Sequence, residues 1–176
     1  MNEMILVKPT IEYEEQIRQL RQEILDAEDK DAFAGCCWLE DYQNIEEWIA
    51  HLELRENPDT CPEGAVPSSV YLAVRKSDNR VVGIIDLRHH INHPVLGLWG
   101  GHMGYSIRPD ERKKGYAKEM LRLNLENCRE RGIEKVMVTC HPWNKASEKV
   151  ILANNGVYEK TVDVEGEQIK RYWITL

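Results

Sequence analysis

Apolar residues in this chain fall into short runs with two different periods, and each change of period marks a new element. "MILVKP" (4–9) is a compact apolar run stopped by Pro9, as in a short strand. Thr10 stands where a helix cap belongs, and Ile11, Ile17, Leu20, Ile24 and Leu25 follow at roughly helical spacing. "DAFAGCCWLEDYQ" has no clear period and reads as a loop or a short helix. In "NIEEWIAHLELRENP", Ile45, Trp48, Ile49 and Leu52 form one stripe. Asn44 is placed to cap that helix, with Glu47 completing a capping box. "DTCPEGAVPSS" is a surface loop rather than a domain linker, because neither side looks self-sufficient.

Beyond that loop the period drops to that of strands. "SVYLAVRK" and "VVGIIDLRHH" flank an Asp-Asn turn and read as a β-hairpin. "INHPVLGLWGG" is a loop, and "HMGYSIRP" a strand that Pro109 stops. A helix runs from the "RKKGYAKEML" region to about Arg131, with Ala117, Met120, Leu121, Leu125 and Cys128 on one face and Gly132 at its end. "EKVMVTC" is a strand, and Asn144 opens a short helix that ends at Gly156. "VYEKTVDV" and "IKRYWITL", around "EGEQ", close the chain as a second hairpin. The order of elements implies a mixed α/β sheet, expected as one domain over 1–176.

Composition narrows the function classes. The net charge of −7 disfavours a general nucleic-acid binder, and no apolar run is long enough to span a bilayer. The N-terminal apolar patch is too short, and its continuation too acidic, for a secretory leader, so a cytoplasmic protein is expected. An odd count of five cysteines without repeated spacing fits reduced thiols, and no ligand spacing points to a metal.

Against that acidity, three consecutive cations, Arg112, Lys113 and Lys114, precede Gly115 at a helix start. Unpartnered first-turn amides and the helix dipole make such a start a phosphate cradle, and glycine lets a bulky anion approach. The alternative is a solvated basic helix start. Spacing excludes both a Walker A loop and a dinucleotide fingerprint.

The run "GGHMGYSIRPDERKKGYAKEML", followed by "VMVTCHPWNKASEKVILANNGVYEK", resembles the GNAT superfamily of N-acetyltransferases, in a bacterial branch with no assigned acceptor. The shared features are Ile107-Arg108-Pro109 before Arg112 to Ala117, then Asn144 and Gly156, within a resemblance covering about Val70 to Lys160. It implies an α/β (α+β) fold with a largely antiparallel central sheet flanked by helices and splayed at the cofactor strand. It also implies acetyl-coenzyme A as cosubstrate and an amine of a small molecule or peptide as acceptor, with no metal, and a homodimer of the kind frequent in that superfamily.

Residue by residue, the resemblance puts the pyrophosphate on Arg112, Lys113, Lys114, Gly115, Tyr116, Ala117 and Lys118. The pantetheine arm falls to the backbone of Tyr105, Ser106 and Ile107, with Asn144 bonding that arm or the pocket wall and Ser147 beside it, and the Ile107 amide faces the thioester carbonyl. Asn144 serves equally well as a helix cap. The strand before the turn lacks the superfamily's frequent Glu, which leaves His102 as the expected base or else a packed structural histidine. Asp86, Arg88 and His89 on the neighbouring strand are expected to hold substrate or relay protons, unless that face is simply exposed. Leu152 occupies the position of the superfamily's usual acid, a Tyr, so Tyr158 is the expected substitute. Cys140 raises a covalent acyl-enzyme, although a strand cysteine usually serves as a buried hydrophobe. Trp38 and Trp99 fall in loops, where they line a substrate wall or merely pack. The competing function is a non-catalytic acyl-coenzyme A sensor on the same fold.

Overall fold

Alternation along the first hairpin, reset once by a bulge, decides which helices cover which face. In the computed structural model, which describes residues 3–176, β2 (Ser68–Arg75) turns Val70, Leu72 and Val74 to one face and Ala73 to the other. Its antiparallel partner β3 (Arg80–Arg88) pairs Ala73 with Gly83 but Val74 with Val81, so Val82 is an extra residue. This bulge lets Val81 and Ile84 face one core while Val82, Ile85 and Leu87 face the other. With β1 (Met4–Val7) and β4 (Tyr105–Ile107) these strands form a sheet in the order β1-β2-β3-β4. A second antiparallel sheet, in the order β5-β7-β6, comprises β5 (Lys135–Cys140), β6 (Val157–Val164) and β7 (Glu167–Thr175).

Two helices, α1 (Glu14–Ala27) and α2 (Ile45–Glu56), bury Ile17, Leu20, Ile24, Ile45 and Trp48 against Val70, Leu72, Val81 and Ile84. On the opposite face α3 (Tyr116–Glu130) and α4 (Lys145–Ala153) bury Met120, Leu121, Leu125 and Ile151 against Ala73, Val82 and Ile85 and against Val136 and Tyr172 of the second sheet. Each fully buried aliphatic side chain contributes about 1.5–3 kcal/mol, so the central hairpin, covered on both faces, is the energetic centre of the fold.

Local chemistry modifies several sequence expectations. Asn44 caps α2, its Oδ1 accepting from the amides of Glu46 and Glu47, but Glu47 does not return the second bond of a capping box. Thr10 makes no side-chain cap, and a 3₁₀ turn at Ile11–Tyr13 precedes α1 instead. The loop before β4 contains a wide helical turn at Leu96–Gly100, closed by the Gly101 amide on the Leu96 carbonyl at 2.9 Å. The strand expected over "HMGYSIRP" shortens to Tyr105–Ile107, because the glycines before it are committed to close contacts. Gly101 has φ +67°, and a Cβ there would lie 2.6 Å from the Met137 carbonyl oxygen.

The two sheets do not join. β4 pairs only with β3 and β5 only with β7, and the split between β4 and β5 is pinned at one end by His102. The His102 amide donates to the Met137 carbonyl, and the Met137 amide donates to His102 Nδ1, each at 2.9 Å. Among the described residues no helix is long and apolar enough to cross a membrane, and no cluster of His, Cys, Asp or Glu is arranged to hold a metal ion.

Candidate active site

The basic turn leads into α3 through Gly115 at φ +88°, a conformation that costs other residues energy. Gly115 offers no capping side chain, and the first bond of the helix runs from Glu119 to the Gly115 carbonyl. The amides from Lys113 to Lys118 therefore find no acceptor among the described residues. Their side chains are not equivalent. Lys114 donates to Glu111 at 2.9 Å and Arg112 to Asp29 at 2.6 Å, whereas Lys113 has no ion-pair partner among the described residues. Glu111 is 1% exposed and also accepts from Arg75 and Arg80. Burial alone would raise its pKa, but the bonds from Lys114 and Arg75 outweigh that and hold the carboxyl below its usual range.

The split supplies the second element. The Asp86 amide donates to the Gly104 carbonyl and the Arg108 amide to the Val82 carbonyl. These bonds turn Gly104, Ser106 and Arg108 toward β3, so alternation turns the amides of Tyr105 and Ile107 into the split. Gly104 is further fixed by its own amide, which donates to the buried Asp86 carboxylate at 2.6 Å.

Between the split, the turn and α4 lies a cavity of about 940 Å³. Met103 to Ile107 wall one side, Thr139, Asn144 and Ser147 the other, and the loop from Glu28 to Ala34 roofs it. Ser106 Oγ donates to the Ala34 carbonyl at 2.8 Å, and Asn144 Nδ2 to Asp31 at 3.3 Å, so this loop is tied down on both sides. The Tyr105 hydroxyl lies 2.8 Å from Ser147 Oγ, and burial raises the phenol pKa. A second cavity of about 160 Å³ opens on the other side, lined by Arg88, Trp99, Cys140, His141 and Ile169. Asp31, Ala34, Met103, Gly104 and Thr139 line both, so the two spaces meet across one thin wall.

All the residues expected to touch a cofactor line the large cavity except Lys114. The expectations for acid–base chemistry fare differently. His102 lines neither cavity, its Nδ1 is occupied by the Met137 amide, and desolvation lowers its pKa to about 4. It pins the split rather than facing it, which corrects the assignment as base. Tyr158 is 50% exposed on β6 and bonds Thr161, away from both cavities, which corrects its assignment as acid. Leu152 is likewise exposed.

Of the three residues expected to hold substrate, only Arg88 lines a cavity. Asp86 is buried and ion-paired to Arg88 at 3.1 Å, where it supports Gly104. His89 bonds Ser69 Oγ at 2.9 Å and lines neither cavity, which corrects its assignment to the site. Trp99 reaches the small cavity, whereas Trp38 lies outside both, under the Arg55 guanidinium at 4.5 Å. Sequence reasoning missed the roof loop with Asp29 and Asp31, and it missed His141. The only available signals were the lack of period in residues 28–35 and the position of "HPWN" directly after a strand.

Comparison with known proteins agrees with this geometry. A family model described as an acetyltransferase (GNAT) domain matches residues 5–156. RimL, a ribosomal L7/L12 alpha-N-protein acetyltransferase solved in complex with coenzyme A, superposes with a TM-score of 0.69 at 16% identity, covering 100% of this chain and 96% of that one. MccE, a microcin C7 self-immunity acetyltransferase in complex with acetyl-CoA and AMP, gives 0.66 at 16% identity over 100% of this chain and 94% of that one. A chimera of the spermidine N-acetyltransferase SpeG from Vibrio cholerae and hSSAT gives 0.64 at 14% identity, over 98% and 94%. No curated protein sequence matches the chain. At these identities the structural likeness speaks for the fold.

Proposed function

The chain belongs to the GNAT acetyltransferase family, and from that premise we propose that it transfers the acetyl group of acetyl-coenzyme A to a primary amine of a small molecule or peptide. The observation that carries this reading is the continuous cavity running from the unpartnered amides of Lys113 to Lys118, along β4, to the thin wall at Gly104. Its volume of about 940 Å³ is in the range of ligand sites for molecules of this size. The coenzyme A complexes of RimL and MccE, with the same fold, support the choice of cosubstrate. The whole chain, 1–176, is proposed as one catalytic domain, because its N-terminal third contributes the roof of the cavity. Residence in the cytoplasm belongs to the same proposal, on the strength of cysteines that are all unbridged.

Each part of the site has a distinct task. The free amides at the start of α3 bind the pyrophosphate, and Lys113 adds positive charge beside them. The amides of Tyr105 and Ile107 serve as the edge against which the pantetheine arm lies. The Ile107 amide points to where negative charge develops on the thioester oxygen as the amine attacks. The Ser147–Tyr105 hydroxyl pair, on the large-cavity side, supplies the proton for the departing sulfur.

Calorimetry with free coenzyme A should show binding that weakens as salt rises, and thioester consumption with a panel of amines should exceed hydrolysis without amine. An absence of binding at millimolar coenzyme A in low salt would sink the reading. Because His102 and Tyr158 lie outside the cavities, the acyl-coenzyme A sensor is the second reading. Binding without turnover of any amine would select it.

A further inference from the structure

The small cavity has a chemical character of its own. On the acetyl-transfer reading, on which this inference rests, the thioester carbon arrives at the shared wall from the large cavity, so a nucleophile must come from the small one. Two ionisable groups there stand uncommitted to strong partners. His141 directly follows β5, and its ring stacks on Trp143 with centroids 5.1 Å apart at 13°. Its Nδ1 is buried and has no hydrogen-bond partner. Asp31, exposed at the rim, has only the long contact from Asn144.

The remaining charges are compensated. Arg88 is paired with Asp86 and donates to the carbonyls of Gly100 and Gly101 at 2.8 and 3.3 Å. Lys170 of β7, in register with Cys140, is paired with Glu148 of α4. Cys140 is held as a thiol, its pKa pushed up by burial to about 11. Trp99 and Ile169 complete an apolar lining. At about 160 Å³ the space holds roughly five water volumes, enough for the last few atoms of an unbranched chain.

We propose that this small cavity receives the acceptor as an ammonium on an unbranched end, with His141 as the group that takes its proton and Asp31 as the carboxylate that balances its charge at the rim. The ammonium gives one proton to Nε2 of the His141 ring, the nitrogen that is not buried, which passes it to solvent. The free amine then forms the N–C bond to the thioester carbon as the C–S bond breaks. The surplus proton on the new amide nitrogen leaves, and the coenzyme A sulfur ends as a thiol, so one proton is released per acetyl group moved. Acid and base thus work from opposite sides of the wall, Ser147–Tyr105 from one and His141 from the other, without competing for the same proton.

n-Propylamine serves as the probe, and two readouts test the assignment. In the first, imidazole NMR signals are followed in histidine-labelled protein saturated with coenzyme A, with His141 identified by the signal lost in His141→Gln. Adding propylamine should move the His141 signal, and Asp31→Asn should weaken that binding severalfold. A His141 signal that does not respond to propylamine overturns the proposal. In the second, His141→Ala should lower kcat about 100-fold or more near neutral pH while leaving the acetyl-coenzyme A KM unchanged. Added imidazole should restore part of the rate, and the deficit should shrink as pH rises toward the pKa of the amine itself. A His141→Ala enzyme with the wild-type rate and pH profile overturns it as well. Wild-type protein that binds both coenzyme A and propylamine, with the His141 response, yet transfers no acetyl group contradicts the acetyl-transfer reading instead and leaves the cavity assignment standing.

Discussion

His102 and Met137 bond to each other twice, backbone to backbone and backbone to ring, and this double contact pins the two sheets together at the end of the split. The ring must be neutral to accept the Met137 proton, and burial lowers its pKa to about 4. In the unfolded chain a histidine titrates near 6.5, so below that pH the unfolded state binds a proton that the folded state does not. Stability should therefore fall as pH drops from about 6.5 toward 4, by up to about 3 kcal/mol from this group. His102→Asn keeps an acceptor for the amide but does not titrate. Urea unfolding from pH 7 to 4 should show a shallower loss in this variant. His89, also lowered to about 4, is present in both proteins and cancels in the comparison.

The basic turn should not behave as a uniform patch. Lys113→Ala removes an uncommitted charge and should weaken coenzyme A binding severalfold at low salt, about 1 kcal/mol. Lys114→Ala removes a charge already paired with Glu111 and should change affinity by about twofold or less. Calorimetry across a salt series should also show a shallower salt dependence for the Lys113 variant.

Gly35 sits at φ +75°, and a Cβ there would lie 2.1 Å from the Gly104 carbonyl oxygen. Gly35→Ala must push the roof loop off β4, and it should cost about 3 kcal/mol or more in urea unfolding and abolish coenzyme A binding. Gly64 has a similar φ of +78° with nothing within 4 Å. Gly64→Ala carries only the backbone penalty, about 1 kcal/mol, and should bind normally.

Tyr105→Phe keeps the ring that walls the cavity but breaks the bond to Ser147. It should lower kcat about tenfold or more with little change in the acetyl-coenzyme A KM. Ser147→Ala should have a similar effect, and the double variant should be little worse than either alone, because the two hydroxyls act as a unit.

With its pKa pushed to about 11, the Cys140 thiol is almost entirely protonated at neutral pH and is a poor nucleophile. Cys140→Ser should retain activity within about twofold. Intact mass after incubation with acetyl-coenzyme A alone should show no acetyl adduct, and an adduct lost in Cys140→Ser would argue for a two-step route.

The cofactor side was legible in the sequence because it is built from backbone. A glycine that can take positive φ and a helix start without a cap leave a mark in residue order, as Gly115 does. The acid–base chemistry was not legible, because it depends on which side chains converge from separate elements. His102 lies two residues before Gly104, yet it is turned away to the Met137 amide. His141 and Asp31 come together only through the split and the roof loop, whose folding over β4 depends on the small size of Gly35 and Gly104. The hydroxyl contact of Tyr105 with Ser147 spans 42 positions along the chain.

The split between β4 and β5 also has a consequence for the lifetime of the protein. A sheet interrupted at its middle has backbone donors there that neither half of the sheet pairs, so a molecule lying along β4 takes the place of an absent strand. Any such ligand that binds the folded chain alone shifts the folding equilibrium, by about 2.7 kcal/mol at a hundred times its dissociation constant. Where the unfolded chain is the form that proteases remove, the amount of this protein would follow the supply of the ligand that completes its sheet.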